Sequence, residues 1–227
     1  MCKENKYVGE LKDTMDRIQA NKLFKLMNFD PWSENTCFSD NAVRRLIVDF
    51  PASCRVMYEI DGFAEPLYPL SVLCTLGASL STIETCFKAN PDAMEEADDW
   101  LGTPLHYACS YKAHHEVVQF IVQECPDLVA KLNRFRRTPL HMACLFNAPE
   151  TVVSFLIDRN PLATQLGDKE GLTPLHLACD SDAELEVIQI LTNEFSLGCV
   201  ARSNIGSTPL HLALGQHAQL GVIRTLV

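Results

Sequence analysis

Three His-x-x-Cys pairs are the residues in this chain most suited to chemistry: His106 with Cys109, His141 with Cys144, and His176 with Cys179. That spacing can place two metal ligands side by side, and zinc accepts imidazole and thiolate at about 2.0–2.3 Å. A zinc site needs four ligands that converge on one point. These pairs instead recur at a constant interval of 35 residues, and Leu214 takes the place of the cysteine in the fourth copy. Residues related by a fixed period line up along a stack and do not converge. The expectation is buried, small thiols and no metal ligand. His114-His115 reads as the solvated start of a helix. No nucleophile elbow, phosphate-binding glycine loop or pair of catalytic carboxylates stands out. The chain is therefore expected to have no catalytic residue and no cofactor, and not to be an enzyme.

The elements that position the histidines are legible. Each belongs to a copy of Thr-Pro-Leu-His, starting at Thr103, Thr138, Thr173 and Thr208. A spacing that constant means one supersecondary unit stacked in a row. Thr before Pro is a helix start: the hydroxyl caps orphan amides, and Pro at the first helical position loses no hydrogen bond. A short helix is expected over about Pro104 to Tyr111. Lys112, Asn147, Asp182 and His217 fall at its end, and Gly77 one period earlier. Asn, Asp and above all Gly tolerate the left-handed backbone used there. An alanine follows in every copy: Ala78, Ala113, Ala148, Ala183 and Ala218.

A second helix carries an apolar stripe. Val117, Val118 and Ile121 recur as Val152, Val153 and Leu156, as Val187, Ile188 and Leu191, and as Val222, Ile223 and Leu226. Separations of one, three and four lie on one helical face. Pro91, Pro126 and Pro161 mark its stop, and a polar connection leads to the next Thr-Pro. One such unit cannot bury enough apolar surface alone, so the array is the folding unit.

Composition narrows the function classes. A net charge of −10 argues against nucleic acid as the ligand. No uncharged apolar run reaches the roughly 18 residues that a membrane span needs, and Met1 to Glu10 lack an apolar signal core. Four of the ten cysteines fall at equivalent repeat positions or close to them. That pattern suits buried thiols in a reducing compartment, so an intracellular, cytoplasmic protein is expected.

The Thr-Pro-Leu-His-x-Ala-Cys run, the paired helices and the period resemble the ankyrin repeat. Asp168-Lys169-Glu170-Gly171-Leu172-Thr173 is similar to that family's turn between units. The resemblance covers about residues 68–227, and Asn41 to Phe50, followed by Pro51, echoes a second helix. It implies an all-α solenoid of stacked helix-turn-helix units with short, hairpin-like connections. The expected organisation is a non-repeat segment over 1–40 and a degenerate partial repeat with an insertion over 41–67. A degenerate repeat over 68–102 follows, then repeats over 103–137, 138–172 and 173–207 and a truncated one over 208–227. Tyr7 to Met27 is expected to form a helix that caps the array, with Tyr7, Leu11, Met15 and Ile18 on one face. There are departures from the family pattern. The period exceeds the usual value of about 33, which predicts a longer loop after the second helix. Tyr68-Pro69-Leu70-Ser71 lacks the histidine, and Leu101 and Arg136 stand where the turn glycine is expected.

The resemblance also implies a use. Family members contact partners through the turn tips and the exposed end of the first helix, and the histidine makes structural hydrogen bonds. Carried over by position, the first two clear units offer Trp100, Tyr111, Arg134, Phe135, Leu145 and Phe146 on one face. Aromatic residues and arginine are frequent interface anchors. The run Asp92, Glu95, Glu96, Asp98 and Asp99 is acidic, and Lys131, Arg134, Arg136 and Arg137 are basic one unit later. Either the two runs neutralise each other across the stack, or Arg134 and Arg137 receive an acidic segment of a partner. The expected function is a non-enzymatic protein-interaction scaffold, with no nucleic acid and no membrane insertion. Because the last apolar stripe runs to Val227, the alternative is a fragment: the regulatory or targeting part of a larger enzyme or ubiquitin-ligase adaptor.

Overall fold

The structure is a computed structural model that describes residues 14–27, 38–60 and 66–227, the side chains of 14–18 excepted. Each Thr-Pro start becomes a seven-residue helix, and each apolar stripe a ten-residue one, except the last, whose helix also has seven. The described residues form twelve α-helices. After α1 (Thr14–Met27) and α2 (Asp40–Asp49), helices of seven and ten residues alternate as far as the last pair, in which both have seven. They are α3 (Pro69–Thr75), α4 (Leu80–Ala89), α5 (Pro104–Ser110), α6 (His115–Glu124), α7 (Pro139–Leu145) and α8 (Glu150–Arg159). The series continues with α9 (Pro174–Asp180), α10 (Leu185–Glu194), α11 (Pro209–Gly215) and α12 (Leu220–Leu226).

The short helices α3, α5, α7, α9 and α11 pack in sequence as an inner layer, and α2, α4, α6, α8, α10 and α12 as an outer one. The expected stripe residues Val117, Val118, Ile121, Val152, Val153, Leu156, Val187, Ile188 and Leu191 are all buried between the layers. The cysteines of the inner layer, Cys74, Cys109, Cys144 and Cys179, form a buried column at one position of successive units. Burial raises their thiol pKa values, those of Cys74 and Cys179 to about 12. At the N-terminal side, α1 packs on α2 and the turn Pro51–Arg55, burying Ala20, Leu23, Phe24 and Met27, with Phe24 stacked on Tyr58. Residues 7–13 of the expected capping helix, and most of the expected insertion, lie outside the described residues.

Two local features carry the turns. Each inner helix ends in a residue at positive φ, and these are the residues expected: Gly77 (67°), Lys112 (55°), Asn147 (53°), Asp182 (54°) and His217 (58°). The tips also need positive φ. Gly171 and Gly206 supply it, the neighbouring Gly102 does so where Leu101 occupies the expected place, and Arg136 adopts φ 59° itself. A side chain in that region costs about 1–2 kcal/mol. Arg136→Gly is therefore expected to raise the unfolding free energy by about 1 kcal/mol, once the added freedom of the unfolded chain is allowed for. Urea denaturation of the two proteins measures the difference, and an unchanged or lower midpoint would contradict it.

The connection after each outer helix differs from the polar loop expected. The prolines that stop the helices open 3-10 turns, Pro91–Met94, Pro126–Ala130 and Pro161–Gln165, and Ser196–Val200 repeats them without proline. Proline's fixed φ suits the first residue of a turn as well as the end of a helix. Each turn also drives a side chain or backbone into the core: Met94, Leu128, Ala163 and Gly198.

Candidate binding surface

The histidines tie tips to inner helices. His106, His141 and His176 are fully buried. In each case Nδ1 accepts from the backbone N–H of the capping threonine, at 3.2, 3.1 and 3.2 Å, and faces its hydroxyl at 2.9, 2.8 and 2.9 Å. With Nδ1 accepting, Nε2 carries the proton. It donates to the carbonyls of Arg137, Leu166 and Ser207 at 3.1, 3.0 and 3.1 Å. Each ring thus closes a capping box at its own helix and bonds the segment leading to the next Thr-Pro. Burial lowers the pKa of His106 and His141 to about 4, and that of His176 in the same direction. Both ring nitrogens being engaged, none offers a base or a ligand. Among the described residues no group of three or more His, Cys, Asp or Glu is placed to hold a metal ion.

The tips are built on a polar residue at one repeat position. Asp98 Oδ1 accepts from the N–H of Leu101 at 2.8 Å, Asn133 Oδ1 from Phe135 and Arg137 at 3.0 Å, and Asp168 Oδ1 from Glu170 and Leu172 at 2.9 and 3.0 Å. Ser203 Oγ accepts from Ser207 at 3.2 Å. Adjacent tips are joined by backbone bonds, Lys169 N–H to the Phe135 carbonyl and Asn204 N–H to the Glu170 carbonyl, both 2.9 Å. Gly171 fits here for a second reason: an added Cβ would lie 2.7 Å from Asn204 Oδ1.

These turns bring Trp100, Arg134 and Phe135 together. The two rings meet edge to face at 5.7 Å, and the Arg134 guanidinium lies 4.8 Å from the Trp100 centroid and 5.2 Å from that of Phe135. Trp100 is 45% exposed, Arg134 is exposed and Phe135 is half-buried. Two rings at right angles flank a delocalised cation that still has N–H donors to offer an anion. Arg134 makes no ion pair among the described residues.

The other expected residues are placed differently. Arg137 sits 5.5 Å from the Phe135 ring, but its Nε donates to Asp168 Oδ2 at 2.9 Å, with the two side chains 18% and 1% exposed. It joins two tips and pairs forward with Asp168, not back with the acidic run. Tyr111 and Phe146 are exposed at the C-terminal ends of α5 and α7, about 10 Å along the helix from the tips. Leu145 is half-buried against the core. Sequence reasoning missed Tyr107 and Asp98. The buried Tyr107 donates its hydroxyl to Asp98 Oδ2 and stacks on Tyr111 at 6.5 Å, which connects the first tip with the end of α5. A tyrosine at the position held by Met142 and Leu177 in the next units was the available signal.

A family model described as ankyrin repeats (three copies) matches residues 70–165, 105–200 and 148–227. No curated protein matches the chain. No helix among the described residues is long and apolar enough to cross a membrane.

Proposed function

Because this chain belongs to the ankyrin-repeat family, whose members serve in protein–protein interaction, we propose that it is a non-enzymatic binding scaffold for an acidic segment of another protein. One observation carries the reading: the Arg134 guanidinium rests on the exposed Trp100 and on Phe135, with no carboxylate of the described chain opposite it. The segment's carboxylate takes the free edge of Arg134. Its apolar side chains cover Trp100 and run toward Tyr111, Leu145 and Phe146. The surface is formed before binding, which lowers the ordering cost. The eight described cysteines are free thiols, and this supports an intracellular, cytoplasmic setting.

The test is affinity capture from cell extract. The baits are the parent chain, a variant with Trp100, Phe135 and Phe146 changed to Ala, and Arg134→Glu, all three first shown to unfold alike. A protein retained by the parent is expected to bind Arg134→Glu at least tenfold more weakly, with a shallower salt dependence, in keeping with the value of a desolvated charge contact. Equal retention by all three would remove this surface. Arg137 is unsuitable for the test, because its substitution also breaks the join between tips.

A further inference from the structure

Away from the tips, the chain leaves two leucines on its surface at equivalent positions of neighbouring units. Leu162 follows Pro161 in the 3-10 turn after α8, and Leu197 holds the same place after α10. They are 67% and 68% exposed. Val200, 69% exposed, ends the second turn, and the exposed Leu166 follows the first. The two preceding turns carry Asp92 and Asp127 at the leucine position, so the fold does not need an apolar side chain there. Charge accompanies the leucines. Arg159 is the last residue of α8 and Glu194 the last of α10, each three residues before its leucine and each exposed. The Arg159 guanidinium is held 5.0 Å from the Phe155 ring. Neither charge has an ion-pair partner among the described residues.

An edge with Arg and Leu on one unit and Glu and Leu on the next is complementary to itself. A two-fold axis lying in this surface, between the two units and at right angles to the stack, exchanges one unit for the other. Leu162 then meets Leu197 of the partner subunit, Arg159 meets the partner subunit's Glu194, and each contact occurs twice, as an isologous interface requires. We propose that this edge is a homodimer interface whose occupant is a second copy of the chain. Packed helices stand about 8–10 Å apart, so the leucines of adjacent units lie in one row at about that spacing and make a narrow apolar strip. The strip is small beside a standard interface. A reversible dimer with a dissociation constant on the order of 100 µM is therefore expected. This proposal is independent of the partner surface at the tips.

Sedimentation equilibrium on the full chain from about 10 µM to about 1 mM brackets that constant. The parent is expected to pass from monomer to dimer over this range. Leu162→Asp and Leu197→Asp place the residue of the earlier turns at an exposed site. Each is expected to weaken dimerisation at least tenfold with an unchanged circular dichroism spectrum and urea midpoint. Arg159→Glu is expected to weaken it similarly, and Arg159→Glu combined with Glu194→Arg to restore it. A chain that stays monomeric throughout would overturn the proposal. So would a dimer indifferent to the leucine and charge substitutions.

Discussion

Acidification from pH 6.5 to 4 is expected to remove about 6 kcal/mol of stability from the array, enough to unfold many domains. The cause is the buried imidazole ladder. His106 and His141 are neutral in the fold because burial disfavours the cation, which lowers each pKa from 6.5 to about 4. In the unfolded chain the same rings take up a proton near pH 6.5. Above that pH both states are neutral and the contribution of the rings is complete. As pH falls, the unfolded chain is protonated first, and the stability drains away until the native rings protonate near pH 4. A difference of that size is worth about 3 kcal/mol per ring. His176 is lowered for the same reason and acts with the same sign. Protonation also places a donor at Nδ1, where the threonine N–H already donates. Urea unfolding followed at a series of pH values measures the slope. A stability that stays level between pH 7 and 5 would show that the rings do not carry it.

Asp168→Ala is expected to cost about 3–5 kcal/mol, the range for removing one partner of a buried ion pair. Three bonds go at once: two turn amides lose their acceptor, and Arg137 is left largely buried and uncompensated. Asp168→Asn is expected to fall between parent and Ala, since Asn133 performs the turn role in its own tip. Arg137→Glu sets two carboxylates against each other and should cost at least as much as the alanine. Arg134→Glu, three residues away and exposed, should cost no more than about 1 kcal/mol, the value of an exposed cation–π contact. Urea denaturation of the four variants is the measurement. A loss below about 1 kcal/mol for Asp168→Ala would mean that the pair is solvated.

Much of the fold was legible because it depends on near-neighbour rules. Thr-Pro announces a cap and a first helical residue, and the position after each inner helix was readable as left-handed even where Lys112 or His217 fills it. The stripe on the outer helices follows from a fixed period. The remainder depends on contacts about thirty residues apart in the chain. Nothing in Arg137 alone points to Asp168, so charge alone groups it with Arg134, although one is committed to the fold and the other is presented to solvent. The polar residue of the tips was obscured because Asp98, Asn133, Asp168 and Ser203 differ in type, and Asp98 lies within an acidic run. Proline reads in the sequence as a stop, which hides the 3-10 turns that it starts. Nothing in the sequence marks Leu162 and Leu197 as surface residues, because exposure is invisible in a sequence.

The column of cysteines gives the molecule an internal clock. Cys74, Cys109, Cys144 and Cys179 are sealed from solvent, and their raised pKa values keep them as thiols. A thiol in that state does not react with an alkylating reagent until its surroundings open. In four successive units the inner helix therefore holds one silent nucleophile whose labelling time is the opening time of that unit. Mass spectrometry of the labelled peptides would then time each of these units separately, with no probe added to the chain.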